Sequence, residues 1–348
     1  MTISIITPVR DGGVAFRRSL HSLLGTDPPA HEVIVVADGV TDGSDGWAEA
    51  AGARVVRLAE PDGPARARNA GARAATGDVL LFVDADVLVP RDLVGRVADV
   101  LAAEPTVAAV IGSYDDRPDD PGFLSQYRNL LHHFVHQRSK TEASTFWCGC
   151  GAVRRDVFLA TGGFDEGYRD PAIEDIELGY RLRRSGHRIL LRHDLQVTHL
   201  KRWSAWTLMR TDLLSRALPW ARLSLRERTL PNDLNLTIVS RVSAVLAAAL
   251  AAALGLAVFF PAALVAAAVA VVILIALNIS FYRFLADRRG WPFAIAAVPW
   301  HWLYFAAGAA GFGIAMAEAA CSLVWRGLGL SSRSTVVFPS GRGRGFRR

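Results

Sequence analysis

Cysteine is scarce in this 348-residue chain, which holds only Cys148, Cys150 and Cys321. An odd number of thiols, without the spacing of a disulfide framework, excludes a small disulfide-stapled fold and fits a reducing compartment. Cys148-x-Cys150 lacks the second Cys or His pair that a tetrahedral metal site needs, so both read as small buried hydrophobes. A signal-peptide core is also missing. The apolar run 3–9 is cut off by Arg10 and Asp11, so it reads as a strand, and the first domain is expected to stay in the cytoplasm. Acid is absent from the last stretch: residues 326–348 carry six Arg and no Asp or Glu, matching the whole formal charge of +6. The body is therefore balanced, which excludes a uniformly basic nucleic-acid binder. A Gly/Ser/Arg tail beside an apolar segment points to anionic lipid headgroups and to no nucleic acid.

What is present is an alternation. Short β-rich runs at 3–9, 32–37, 54–58, 79–83 and 107–112 are separated by helical stretches near 14–25, 41–51, 64–75 and 91–102. Strands spaced by helices predict βαβ units, an α/β class and a mostly parallel sheet, with the ligand crevice at the carboxyl ends of the strands. After a Pro/Asp turn and a helix rich in aromatic residues and His, the pattern resumes. It predicts a strand at 149–153, a helix at 155–160, a Gly-Gly-Phe turn, a helix at 174–185 and two strands up to His199. Trp206, Met209, Leu213, Ala217 and Trp220 then recur at helical spacing between Arg210, Arg216 and Arg222. That is the form of a helix in a membrane interface or of one packed on a globular domain.

Residues 242–282 contain no charge, enough at about 20 residues per crossing for two passes with a hairpin at Phe260-Pro261. The run 290–325 is interrupted only by Glu318 and holds one crossing, or two short ones around Gly308 to Gly313. Arg283, Arg288 and Arg289 should be cytoplasmic by the positive-inside rule. The expected division is a first domain over 1–202, amphipathic interfacial helices over 203–238, a transmembrane region of three or four helices over 239–326, and a basic disordered tail over 327–348. This describes a multi-pass protein of the cell (inner) membrane.

The most informative motif is Leu80-Leu-Phe-Val-Asp84-Ala-Asp86, an apolar strand ending in two carboxylates. Hard oxygen ligands of this kind hold Mg²⁺ or Mn²⁺ against a diphosphate, although acids at a strand end also cap the next helix. A second strand ends in Asp38, followed by Gly-Val-Thr-Asp42-Gly-Ser44. Gly63-Pro-Ala-Arg66-Ala-Arg68-Asn69 then opens a helix with cationic donors. A carboxylate after a strand can hold a base or ribose, and Arg68 near a helix N-terminus can meet phosphate, or it can form a surface salt bridge.

In the order and spacing of these motifs, residues 2–203 resemble glycosyltransferase family two, inverting enzymes of the GT-A, Rossmann-like nucleotide-sugar-binding fold. The resemblance implies a nucleotide-sugar donor held by Pro8, Asp38, Arg68 and Asp84, with a divalent metal on Asp86. Gly162-Gly163-Phe164-Asp165-Glu166 resembles the family's acceptor-side loop, and the stretch 113–146 reads as a lid or acceptor-side insertion. Glu174-Asp175 resembles its Glu-Asp pair, whose Asp is the catalytic base. Ala37 stands where many members carry a first acid, which leaves the nucleobase open. Arg202 and Trp203 fall where processive members carry Arg-Trp, on the acceptor side, and His199 takes the place of their Gln, as a second candidate metal ligand or a structural residue.

Other readings compete for the same residues. Acids in a first helical turn also favour the helix dipole, and Glu177 with Arg181 forms an i,i+4 pair. His132, His133 and His136 lack a carboxylate partner and read as a polar face. The sequence thus predicts a membrane-anchored hexosyltransferase acting on a lipid or glycan acceptor. A membrane-anchored nucleotidyltransferase and a non-catalytic scaffold for polysaccharide assembly are its rivals.

Overall fold

The computed structural model describes residues 1–327, so beyond Gly327 the expected basic tail lies outside the described residues. One compact unit runs from Met1 to Arg202, and a second begins at Trp203.

The first unit is one sheet of eight strands: β1 (Ile3–Val9), β2 (Glu32–Ala37), β3 (Arg54–Arg57), β4 (Val79–Val83), β5 (Val87–Leu88), β6 (Val107–Tyr114), β7 (Cys150–Arg154) and β8 (Arg188–His199), in the order β3-β2-β1-β4-β7-β6-β8-β5. The first half is parallel as expected, but β7 runs antiparallel between β4 and β6, and β5 antiparallel to β8. The sheet is therefore mixed rather than mostly parallel. Strand period reports which face is buried and not direction, so β7 could not be oriented from its pattern.

The two strands expected before His199 are one, β8, twelve residues long. Its register against β6 slips between Ile111 and Ser113. Gly112 sits at the slip, and a Cβ there would meet the Leu195 carbonyl oxygen at 2.3 Å, so the missing side chain lets the strand continue through its irregularity.

Seven helices flank the sheet: α1 (Gly13–Leu24), α2 (Ser44–Ala50), α3 (Pro64–Ala74), α4 (Leu93–Ala103), α5 (Phe123–Arg138), α6 (Arg155–Thr161) and α7 (Glu174–Arg184). All five residues of β4 and all eight of β6 are buried, as continuous apolar runs covered on both faces should be. Phe82 of β4 packs edge-on against Phe146 and Phe164, with ring centroids 6.3 and 5.1 Å away. Helix α3 has a face of Ala65, Ala67, Ala70, Gly71 and Ala72, all buried. A Cβ at Gly71 would lie 2.5 Å from Ile6 Cγ2, so small residues seat this helix close on the sheet.

The second unit opens with α8 (Ala205–Arg210), a π-helical stretch (Thr211–Ala217) and α9 (Leu218–Glu227). Then come α10 (Ile238–Leu256), α11 (Ala263–Arg289) and α12 (Trp291–Gly327), three helices long and apolar enough to cross a membrane. The run that allowed one crossing or two is a single helix, α12, continuous through Gly308–Gly313 with Pro299 inside it. Leu250, Ala253, Ala267, Ala270 and Leu274 pack α10 against α11, and Asn278 Nδ2 donates to Ser243 Oγ across them at 3.0 Å. Val245, Val265, Val272 and Ile295 face outward, as on helices surrounded by lipid. The segment that read either as interfacial or as packed on a globular domain packs on α12. A Cβ at Gly311 would meet the backbone of Ala217 and Leu218 at 2.8 Å, and Arg222 donates to both oxygens of Glu318 at 2.6 and 2.8 Å.

Candidate active site

The carboxyl ends of β1, β2 and β4 carry the loops that hold the residues expected on the donor side. The first two are tied to each other. Asp11 Oδ1 accepts the amides of Thr41 at 2.7 Å and Asp42 at 3.2 Å, and Asp42 in turn accepts the Gly13 amide at 2.9 Å. Asp38 is buried, and its two oxygens accept the amides of Asp62 at 2.7 Å and Gly63 at 3.0 Å, which anchors the turn into α3. Pro8 is half-buried on β1, opposite Val36 in the register.

Gly63 is required at that turn. Its φ is +89°, and a Cβ there would meet the Arg169 carbonyl oxygen at 1.8 Å. Helix α3 then delivers Arg68 to the end of β4. Arg68 NH2 donates to Asp84 Oδ1 at 2.8 Å and NH1 to Glu174 Oε1 at 2.7 Å. The surface salt bridge weighed for Arg68 is thus a buried one, with Arg68 and Glu174 each 5% exposed.

Asp86 lies two residues beyond Asp84 and beside a different strand. Strand β5 pairs Val87 with His199, and Leu200 donates its amide to the Asp86 carbonyl at 2.8 Å. Asp86 Oδ2 and His199 Nε2 are thereby 3.6 Å apart. Burial works against the Asp86 carboxylate, but the neighbouring His199 ring and the charge of Lys201 outweigh it and lower its pKa. The Tyr114 ring stacks on His199 with centroids 4.3 Å apart and 12° between planes, and Trp147 meets Tyr114 edge-on at 4.9 Å.

The three histidines of α5 do not form a polar outer face. His133 and His136 are buried, and their Nδ1 atoms donate to the carbonyls of Tyr114 at 2.8 Å and Gly112 at 3.1 Å. His132 stacks on His136 at 3.9 Å and lies 4.5 Å from the Tyr114 ring. Helix α5, read as part of a lid or insertion, is thus packed on β6 and backs the rings that hold His199.

Asp175 occupies the first turn of α7, where the leading amides of a helix have no partner of their own. Its carboxylate accepts the Ile176 amide at 2.8 Å and, from the loop before β7, the Cys148 amide at 3.2 Å. That loop comes so near because residue 179 is glycine: a Cβ there would lie 2.2 Å from the Phe146 amide nitrogen. Burial first and the charge of Glu174 second push Asp175 up to about 7, against the opposing pull of Arg68 and the two amides. Burial keeps the Cys148 thiol protonated.

The Gly-Gly-Phe turn is clamped from within. Asn69 Nδ2 donates to the Phe164 carbonyl and Asn69 Oδ1 accepts its amide, both at 2.9 Å. Gly163 is buried and its carbonyl accepts from Arg181 at 2.7 Å, while Arg181 also grips Glu177. Phe164, 2% exposed, belongs to the core around Phe82 rather than to an open face, so of the turn's assigned residues only Asp165, half-buried, is accessible. Arg202 is exposed and Trp203 buried, each in its own unit. Asn69, Gly179 and the Cys148 amide were missed by the sequence reading. The one signal that could have found them was a glycine inside the helical run 174–185.

Residues 4–161 match the model of glycosyl transferase family 2. Over that stretch the chain is similar to the family. Among similar proteins, the pre-mycofactocin glycosyltransferase of Mycobacterium tuberculosis is 30% identical over 227 residues, covering 58% of this chain and 44% of that protein. The O-antigen biosynthesis protein RfbC of Myxococcus xanthus is 28% identical over 221 residues, 57% of this chain and 17% of the other. The chain thus spans less than half the length of these curated relatives. Its structure is similar to that of the mannosyltransferase PcManGT from Pyrobaculum calidifontis, solved with GDP-Man and Mn²⁺, at a TM-score of 0.55 and 24% identity over 89% of this chain and 86% of that one. That likeness is one of fold, the GT-A fold expected.

Proposed function

We propose that residues 1–202 form the catalytic domain, which transfers a sugar with inversion from a nucleotide-sugar to an acceptor at the cytoplasmic face of the cell membrane. The observation that carries the reading is Asp175. It is a carboxylate oriented by two amides at a helix start, beside the Asp84–Arg68–Glu174 bridge, with a pKa raised to about 7 where a general base is most effective. An inverting transfer needs one such base, to take the proton of the acceptor hydroxyl as its oxygen attacks the anomeric carbon opposite the departing diphosphate.

Pro8, Asp38 and Asp84 are assigned to the donor's nucleoside, and Asp165 and Arg202 to the acceptor side. Asp86 and His199 would hold a divalent cation. Their oxygen and nitrogen 3.6 Å apart, on a half-buried acid and a ring locked by stacking, fit one ion that completes its shell with diphosphate oxygens and water. Among the described residues no group of three or more His, Cys, Asp or Glu side chains gathers for a metal, which fits an ion carried partly by the donor. When bound, the cation supplies positive charge to offset the leaving diphosphate. The three apolar helices support membrane anchoring and, with it, a lipid-linked acceptor.

The test is a panel of nucleotide-sugars, GDP-mannose and UDP-N-acetylglucosamine among them, with Mn²⁺ or Mg²⁺ and the full chain in detergent. A donor that raises the melting temperature only with metal, and is turned over to nucleoside diphosphate, is the expected result. Pyrophosphate release from a nucleoside triphosphate instead would identify a nucleotidyltransferase. Absence of any nucleotide binding would favour a scaffold.

A further inference from the structure

Arg68 joins two carboxylates from separate elements. NH1 is committed to Glu174 at the start of α7, NH2 to Asp84 at the end of β4, and Nε is buried with no acceptor. Its charge is therefore spent inside the protein, with little left for a phosphate. Glu174 is equally committed, with Oε1 on Arg68 and Oε2 accepting the Ala172 amide at 3.0 Å.

Asp175 is the next residue. The charged or titratable groups that act on it are Glu174 on its own helix, Arg68 from α3, the Cys148 thiol from the loop before β7 and, on the far side of Arg68, Asp84. Two adjacent, partly desolvated carboxylates cannot both ionise near neutrality without a counter-charge, and Arg68 supplies it.

We propose that Arg68 is a positioning residue whose bridge between Glu174 and Asp84 sets the pH at which Asp175 becomes available as a base. The proposal rests on the reading of Asp175 as the base. Without the guanidinium, the negative charge of Glu174 acts on Asp175 uncompensated, and the Asp175 proton is released only at higher pH. A lysine keeps the charge but not the fork that holds two carboxylates at once. An arginine that merely bound donor phosphate would change donor affinity and leave the protonation of the base alone.

The experiment is the pH profile of turnover by the full chain in detergent, with the active donor of the panel above, for wild type, Arg68→Gln, Arg68→Lys, Glu174→Gln and the Arg68→Gln/Glu174→Gln pair. In Arg68→Gln the acidic limb should move up by about one pH unit or more, with turnover recovering as the solution is made alkaline. Arg68→Lys should lie between. Glu174→Gln should move the limb down, and the double variant should return it toward wild type. A limb that stays in place in Arg68→Gln while turnover falls by the same factor at every pH overturns the proposal. So does a Glu174→Gln shift in the same direction as Arg68→Gln. If Arg68→Gln does not fold, Glu174→Gln decides alone, because damage to the fold does not produce a downward shift. Asp175→Asn separates the two readings. Loss of its limb with an unmoved limb in Arg68→Gln overturns only the role of Arg68, whereas a limb that persists in Asp175→Asn overturns the base and this proposal with it.

Discussion

At the scale of single residues, Asp175 and Asp86 are two carboxylates pushed in opposite directions by their surroundings. Asp175 is desolvated beside Glu174, and Asp86 is paired with His199. Asp175→Asn keeps the shape and removes the basicity, so donor affinity by calorimetry should be nearly unchanged while turnover falls on the order of a hundredfold or more. Wild-type turnover should rise with pH through about 7, the value to which Asp175 is raised. The same shift has a stability consequence of opposite sign. The folded state binds this proton more tightly than the unfolded chain, so the stabilising contribution is complete below the ordinary carboxylate pKa and is lost as pH rises through about 7. Thermal melts should show wild type losing stability relative to Asp175→Asn over that window. Asp86→Ala should abolish transfer and also the metal-dependent part of donor-induced stabilisation; full activity in excess chelator would remove the metal from the mechanism.

At the scale of elements, the site depends on close backbone approaches made possible by glycine. Gly179 is the clearest case. Replacing a helical glycine by alanine ordinarily stabilises by about 1 kcal/mol, but here the new Cβ would sit 2.2 to 2.5 Å from backbone atoms of Phe146 and Thr145, which cannot yield as a side chain can. The clash should win. Gly179→Ala is expected to destabilise by roughly 1–3 kcal/mol and, by moving the loop that carries the Cys148 amide, to lower turnover more than donor affinity. A melting temperature at or above wild type would show that the loop is softer than its contacts imply. Strands β1 to β4 and helices α1 to α4 were legible because each is a local run of the right period bounded by Gly, Pro or charge. The direction of β7, the continuity of β8 and the pairing of the two-residue β5 were not, since each is settled by a partner distant in sequence.

At the scale of the whole molecule, α10, α11 and α12 leave large apolar side chains exposed along their lengths, which water does not tolerate over such an area. Full-length protein should stay in the pellet after alkaline carbonate extraction, and its release intact into the supernatant would contradict the anchor. Within this unit, Gly311 and the Arg222–Glu318 pair seat the α8–α9 segment on α12. Gly311→Val should therefore loosen that segment, read as increased protease cleavage between residues 205 and 227.

The sequence by itself determined the α/β class, the resemblance to a glycosyltransferase family and the apolar helices, because strand period, motif order and unbroken hydrophobicity are local properties of the chain. It also named Asp175, Asp84, Asp86 and His199. Only the tertiary structure decided which partners they take. A buried charge takes its meaning from its partner, and the partners of Arg68, Asp175 and Asp86 are Glu174 with Asp84, the Cys148 amide and His199, brought together by strand order and close packing across long separations in the chain.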